Sequence, residues 1–159
     1  MAIFLVKFFH ILSLVIWLGS IIFFSFIGAP SVFKLLSKEL AGEVVSDIFP
    51  KYYAIGYVCT PILLGSLLYL GYVKNALASL RYPVMILICV VACSFYSGLV
   101  VSNKARAIKM EIKSTMNEAE KTQLGKKFRK IHGLSMILNL FNLIGGLLLI
   151  GFSVSYLRL

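Results

Sequence analysis

From Ile131 to Leu157 the chain carries no Asp, Glu, Lys or Arg. About 20 apolar residues, rising about 1.5 Å each in a helix, cross the hydrocarbon core of a bilayer, so this run predicts a membrane-spanning helix over 133–157. A cationic cluster, Lys126, Lys127, Arg129 and Lys130, stands just before it. Within the run, polar or small residues recur at His132, Ser135, Asn139, Asn142, Gly146 and Ser153. They follow one another by threes and fours, with Leu149 filling one place, and that spacing puts them on one helix face. Lipid offers neither donors nor acceptors, so such a face is expected to turn towards other helices or a wet cavity.

Three more apolar runs, over 3–28, 52–73 and 82–103, complete the pattern of an all-α integral membrane four-helix bundle with antiparallel up-down topology. At 60% hydrophobic and only 14% charged residues, with a mean hydropathy of +0.94, the 159 residues read as a single four-span domain over 1–159, not a soluble enzyme. The net charge of +10 does not point to nucleic acid, because the basic residues lie between the apolar runs and serve topology and headgroup contact. Cys59, Cys89 and Cys93 fall inside apolar runs and so form no secreted disulfide framework. The first run is too long for a signal peptide and ends without a clean cleavage site, so it is expected to be retained.

Orientation follows from Lys and Arg in the connections. The third connection, 104–131, holds Lys104, Arg106, Lys109, Lys113, Lys121 and the cluster from Lys126 to Lys130, and the first holds Lys34, Lys38 and Lys51. The other side has Lys7, Lys74, Arg81 and Arg158. The positive-inside rule therefore expects both termini outside the cytoplasm, in a cell inner membrane. The segment 31–49 alternates Phe33, Leu36, Leu40, Val44 and Ile48 with charged residues, predicting a short amphipathic cytoplasmic segment of one or two interfacial helices, interrupted at Gly42. The basic stretch 104–131 reads as a helical hairpin that meets anionic headgroups of membrane lipids, with Asn117 and Glu120 as a capping pair before the last helix.

Candidate chemistry sits on two helices. Lys7, His10, Ser13, Trp17 and Ser20 form a second polar stripe. Antiparallel pairing with the last helix sets Trp17 and Ser20 near Asn139 and Asn142 in depth, but His10 and His132 roughly 25 Å or more apart. A pathway for a small molecule or ion is thus expected between the first and last spans, from His10, Trp17, Ser20, His132, Ser135, Asn139 and Asn142. Met85, Cys89 and Cys93 share a face, and three soft sulfurs suit Cu(I); as ordinary apolar residues they equally suit packing. Pro61 is expected to kink the second span, with Thr60 or a water satisfying the freed backbone. No Asp or Glu lies inside a span, and no metalloprotease, phosphate-loop or nucleophile-elbow motif occurs, which argues against an enzyme.

Three stretches carry a family resemblance: FHILSLVIWLGSIIFFSFIGAPSVFKLL, AGEVVSDIFPKYY and KKFRKIHGLSMILNL. With His10, Trp17, Gly19, Ala29-Pro30, Phe33, Gly42, Phe49-Pro50, Tyr53, Phe128, His132, Ser135 and Asn139 in register, the chain resembles the transmembrane protein 205-like family. That resemblance implies a four-span membrane protein without a settled biochemical activity. Its eukaryotic members are associated with resistance to platinum drugs, which implies handling or export of a compound. The opening K-x-x-H…W-x-G helix is more distantly similar to copper-resistance protein D and to the haem-containing membrane protoporphyrinogen oxidase, implying as an alternative a haem or copper redox role with His10 as ligand. A third alternative is a structural or adaptor protein, without ligand, whose stripes glue helices; the pathway reading, by contrast, calls for a homo-oligomer, because four spans are few for alternating access.

Overall fold

The structure, a computed structural model, describes residues 1–156; the expected span end at Leu157 and the cation Arg158 lie outside the described residues. Four long helical rods make up the fold: α1 (Ala2–Leu35), α2 (Lys38–Val73) and α3 (Arg81–Ser114), then α4 (Glu118–Tyr156). Each is long and apolar enough to cross a membrane, and the described residues contain no strand.

Neighbouring rods run antiparallel, as paired residues show. His10 meets Ser66 while Phe24 meets Phe49 across α1 and α2. Tyr57 meets Phe95 while Glu43 meets Lys113 across α2 and α3. Gly146 lies beside Leu18 while Asn139 meets Ser25 across α1 and α4. The core is a column of Leu14, Trp17, Leu18 and Ile21 from α1, Cys59, Leu63 and Leu67 from α2, Leu87 and Val90 from α3, and Leu149 from α4. Large apolar side chains also cover the outside, among them Ile137, Leu140, Ile144 and Leu147. In water so much exposed apolar surface would drive association; in a bilayer it is the surface lipid solvates.

The segment 31–49 is not a separate interfacial piece. Residues through Leu35 continue α1, and the chain turns only at Leu36 and Ser37, where the backbone becomes extended. Ser37 Oγ accepts from Leu40 N (3.4 Å), capping α2. From there α2 runs unbroken through Gly42, Pro50 and Pro61 to Val73. Gly42 does not break the helix because its bare face is a docking point: Lys109 Nζ donates to the Gly42 carbonyl (2.5 Å) and to Ser46 Oγ (2.8 Å). Pro30 is tolerated because a wide π turn, Phe24–Gly28, precedes it, in a place where a regular turn would set the ring against the carbonyl four residues back. Thr60 does bend back to the backbone, but it donates to the Gly56 carbonyl (2.9 Å), not to the Tyr57 carbonyl that Pro61 leaves unbonded.

α3 passes through a second π turn, Ser97–Val101, and continues to Ser114. Asn117 Oδ1 then accepts from Ala119 N (2.9 Å) and Glu120 N (3.4 Å) to start α4, while Glu120 takes the Thr115 hydroxyl. Replacing Asn117 with Ala is expected to cost about 1 kcal/mol, the usual worth of such a cap, read as a small drop in melting temperature.

Candidate functional site

A small cavity lies where the four rods come together. Trp17 and Ser20 of α1, Tyr52, Tyr53 and Gly56 of α2, Ser94 and Ser97 of α3, and Ser135, Asn139 and Asn142 of α4 line about 10 Å³. That is the space of one water molecule. Gly56 makes room for it, since a Cβ there would reach contact distance from Trp17 Nε1 and Ser94 Oγ. Ser94 and Ser97, three residues apart on one face of α3 where its π turn begins, both point inward, at 4% and 3% exposure.

The lining divides into satisfied and unsatisfied groups. Asn139 is held on both sides: Oδ1 accepts from the Tyr52 hydroxyl and Nδ2 donates to Ser25 Oγ (2.8 Å). Tyr53 and Ser135 hydroxyls lie 3.2 Å apart, and Ser20 donates to the Trp17 carbonyl (2.7 Å). Ser94 Oγ, Ser97 Oγ and Asn142 Oδ1 are buried and have no hydrogen-bond partner within the protein. A buried polar group left so costs about 1–3 kcal/mol, and three such groups around one cavity set it apart from the rest of the core.

Two further spaces adjoin it. Towards the basic end, Ser46, Phe49 and Tyr53 of α2, Ser102, Arg106 and Lys109 of α3, and Phe128, His132 and Ser135 of α4 enclose about 50 Å³. On the outer side, a groove of about 620 Å³ runs between the end of α1 and α4. Phe49, Tyr53, His132 and Ser135 line both, and Tyr53 and Ser135 also line the central cavity. The Tyr53–Ser135 contact therefore stands where all three spaces meet.

Residues 12–114 match the family described as a domain of unknown function, DUF4149. The chain belongs to that family. An uncharacterized protein of Aquifex aeolicus (strain VF5) is 46% identical over 61 residues, 38% of this chain and 42% of that protein; the chain thus matches less than half the length of this relative. No solved structure matches. The family match ends at residue 114, so α4, with Ser135, Asn139 and Asn142, lies beyond it.

Trp17, Ser20, Ser135, Asn139 and Asn142 come together in the central cavity, but it is shared by all four rods and is not a seam between α1 and α4 alone. His10 is elsewhere. Its ring is 1% exposed and Nδ1 sits 2.7 Å from Ser66 Oγ on α2, while Ser66 also donates to the Leu63 carbonyl (3.0 Å). Ser66→Ala is expected to cost roughly 1 kcal/mol, the scale of interhelical hydrogen bonds in membranes, visible as a lower melting temperature. His132 stacks on Phe128, ring centroids 6.0 Å apart, at the basic end.

A haem on His10 does not fit this setting, because the imidazole is packed against α2 and lines none of the three spaces. The sulfur stripe does not fit a Cu(I) site either. Met85 is 61% exposed, Cys89 is exposed and Cys93 half-buried, while Cys59 of α2 is buried, so the stripe turns outward along α3, away from the inward face of Leu87, Val90 and Ser94. Among the described residues no group of three His, Cys, Asp or Glu is placed to hold a metal. Sequence reasoning overlooked Tyr52, Gly56, Ser94 and Ser97. The three-residue step from Ser94 to Ser97 in an apolar run was the available signal.

Proposed function

We propose that this membrane protein takes a small uncharged polar solute into the central cavity and passes it towards the basic end of the bundle. The observation that supports this reading is the group of three buried, unpartnered oxygens, Ser94 Oγ, Ser97 Oγ and Asn142 Oδ1, around one cavity. The lining contains no Asp, Glu, Lys or Arg. Hydroxyls and an amide match a solute that carries hydroxyl or amide groups, whereas an ion would lose its hydration to dipoles alone. At about 10 Å³ the cavity admits only a water-sized guest until Tyr53 and Ser135 part, so their contact is the gate in this reading.

By its excess of Lys and Arg the basic end faces the cytoplasm, with both termini across an inner membrane. A second copy of the chain would supply the extra spans that alternating access requires. The resemblance of the signature stretches to the transmembrane protein 205-like family agrees with handling of a small compound.

The test is solute entry into proteoliposomes under glycerol or urea gradients, followed by light scattering. Wild-type protein is expected to speed entry several-fold over protein-free vesicles. Tyr53→Phe, which removes the hydroxyl facing Ser135, is expected to speed it further, and Asn142→Leu to return it to the protein-free rate. Folded wild-type protein that leaves both solutes at the protein-free rate overturns the proposal.

A further inference from the structure

We infer that the slot between α2 and α4 at the basic end holds one anionic phospholipid, its phosphate against Lys109 and Arg106 and one acyl chain in the outer groove. The two halves of such a ligand match two adjoining spaces, of which only the inner one carries cations. The inner space carries the cations Arg106 and Lys109 with His132, beside Phe49 and Phe128, and has no carboxylate in its lining. The outer groove is largely apolar, with Pro30, Phe33, Val45, Met136, Leu140 and Leu143 along its length. Phe49, Tyr53, His132 and Ser135 border both, so a single molecule can pass from one to the other.

Lys109 is set up for an anion. Its ammonium has three protons to donate, of which two go to the neutral oxygens of Gly42 and Ser46. The neighbouring Glu43 carboxylate is taken by Lys113 (2.5 Å). Burial, and then the Lys113 charge, lower the Lys109 pKa from the ordinary lysine value. Glu43 offsets part of this, and a phosphate in the slot adds a second counter-charge and a charge-assisted bond for the third proton.

Length selects a lipid of the bilayer over a soluble phosphate. On α4 the groove runs from His132 to Leu143, about 16 Å at the helical rise. That is about half of a 30 Å hydrocarbon core, the depth of one leaflet. The groove volume of about 620 Å³ lies within the roughly 300–1,000 Å³ of ordinary ligand sites. The inference uses neither Ser94, Ser97 nor Asn142, and shares with the proposed solute path only the Tyr53–Ser135 border; its test reads lipid retention and not solute entry.

The experiment is native mass spectrometry of the full chain released from bilayers of phosphatidylcholine and phosphatidylglycerol. One retained phosphatidylglycerol per chain is expected, in preference to phosphatidylcholine. The double variant R106Q and K109Q is expected to lower its retention about tenfold or more, as loss of two headgroup-facing cations implies. Because Lys109 also ties α3 to α2, Leu140→Trp provides an independent variant: it fills the groove, leaves every cation in place and is expected to expel the lipid. The control K126Q with K127Q removes two exposed charges of the hairpin that do not line the slot, and is expected to retain it. Equal retention of phosphatidylcholine, equal loss in the control, or displacement by glycerol 3-phosphate overturns the inference.

Discussion

Gly98→Val is expected to abolish the native packing of α2 on α3, with Gly98→Ala losing about 1–3 kcal/mol, the usual cost of overpacking. A Cβ at Gly98 would land on the Tyr57 hydroxyl, 2.6 Å from its Cζ and 3.0 Å from Tyr53 Cβ. Tyr57 can swing, although its ring is held against Phe95 at 4.8 Å. Tyr53 Cβ cannot, because it is fixed to the backbone of α2. The two helices must therefore separate, and the intrinsic helix gain of Ala over Gly, about 1 kcal/mol, offsets only part of the loss. Separation also draws Ser97, the next residue, away from the cavity. Thermal melting in detergent, followed by emission of Trp17, the only tryptophan, reads both effects. Adding Tyr57→Ala to Gly98→Ala is expected to recover part of the stability. Gly19→Ala and Gly65→Ala, inside helices and with nothing within 4 Å of the added carbon, are expected to hold stability or gain up to about 1 kcal/mol. A Gly98→Ala protein as stable as these controls refutes the close packing.

The features legible in the sequence are those written in one helix at a time. Apolar runs and cationic connections gave four rods, and Asn117 with Glu120 marked where α4 begins. Depth counting along antiparallel helices put Trp17 and Ser20 beside Asn139 and Asn142, which together line the cavity. What the sequence hid depends on partners across helices. Gly42 looked like a helix breaker because the Lys109 side chain that occupies its bare face comes from α3. Ser94 and Ser97 share a helix face by their three-residue spacing, but that this face meets the cavity is set by how α3 packs against its neighbours, which composition does not mark. His10 shares its periodicity with Trp17, yet a small rotation around α1 gives it to Ser66 on α2. Periodicity names a face; it does not name the neighbour.

Asn139 and Asn142 share one stripe, but Leu is expected to act oppositely at the two positions. Asn139→Leu removes the acceptor for Tyr52 and the donor to Ser25, leaving a buried phenol and a serine hydroxyl unpaired. Interhelical hydrogen bonds in membranes are worth about 0.6–2 kcal/mol each, and unpaired groups add to that, so a loss of about 2–3 kcal/mol is expected. Asn142 is 6% exposed and its Oδ1 bonds to nothing in the protein. Replacing it with Leu removes a buried carbonyl whose desolvation is uncompensated, so melting is expected to hold or rise slightly. If both asparagines only glued helices, both variants would melt early by similar amounts. Equal losses at the two positions would therefore count against a cavity built for a guest, and a stable Asn142→Leu protein that no longer passes solute would tie that one amide to function.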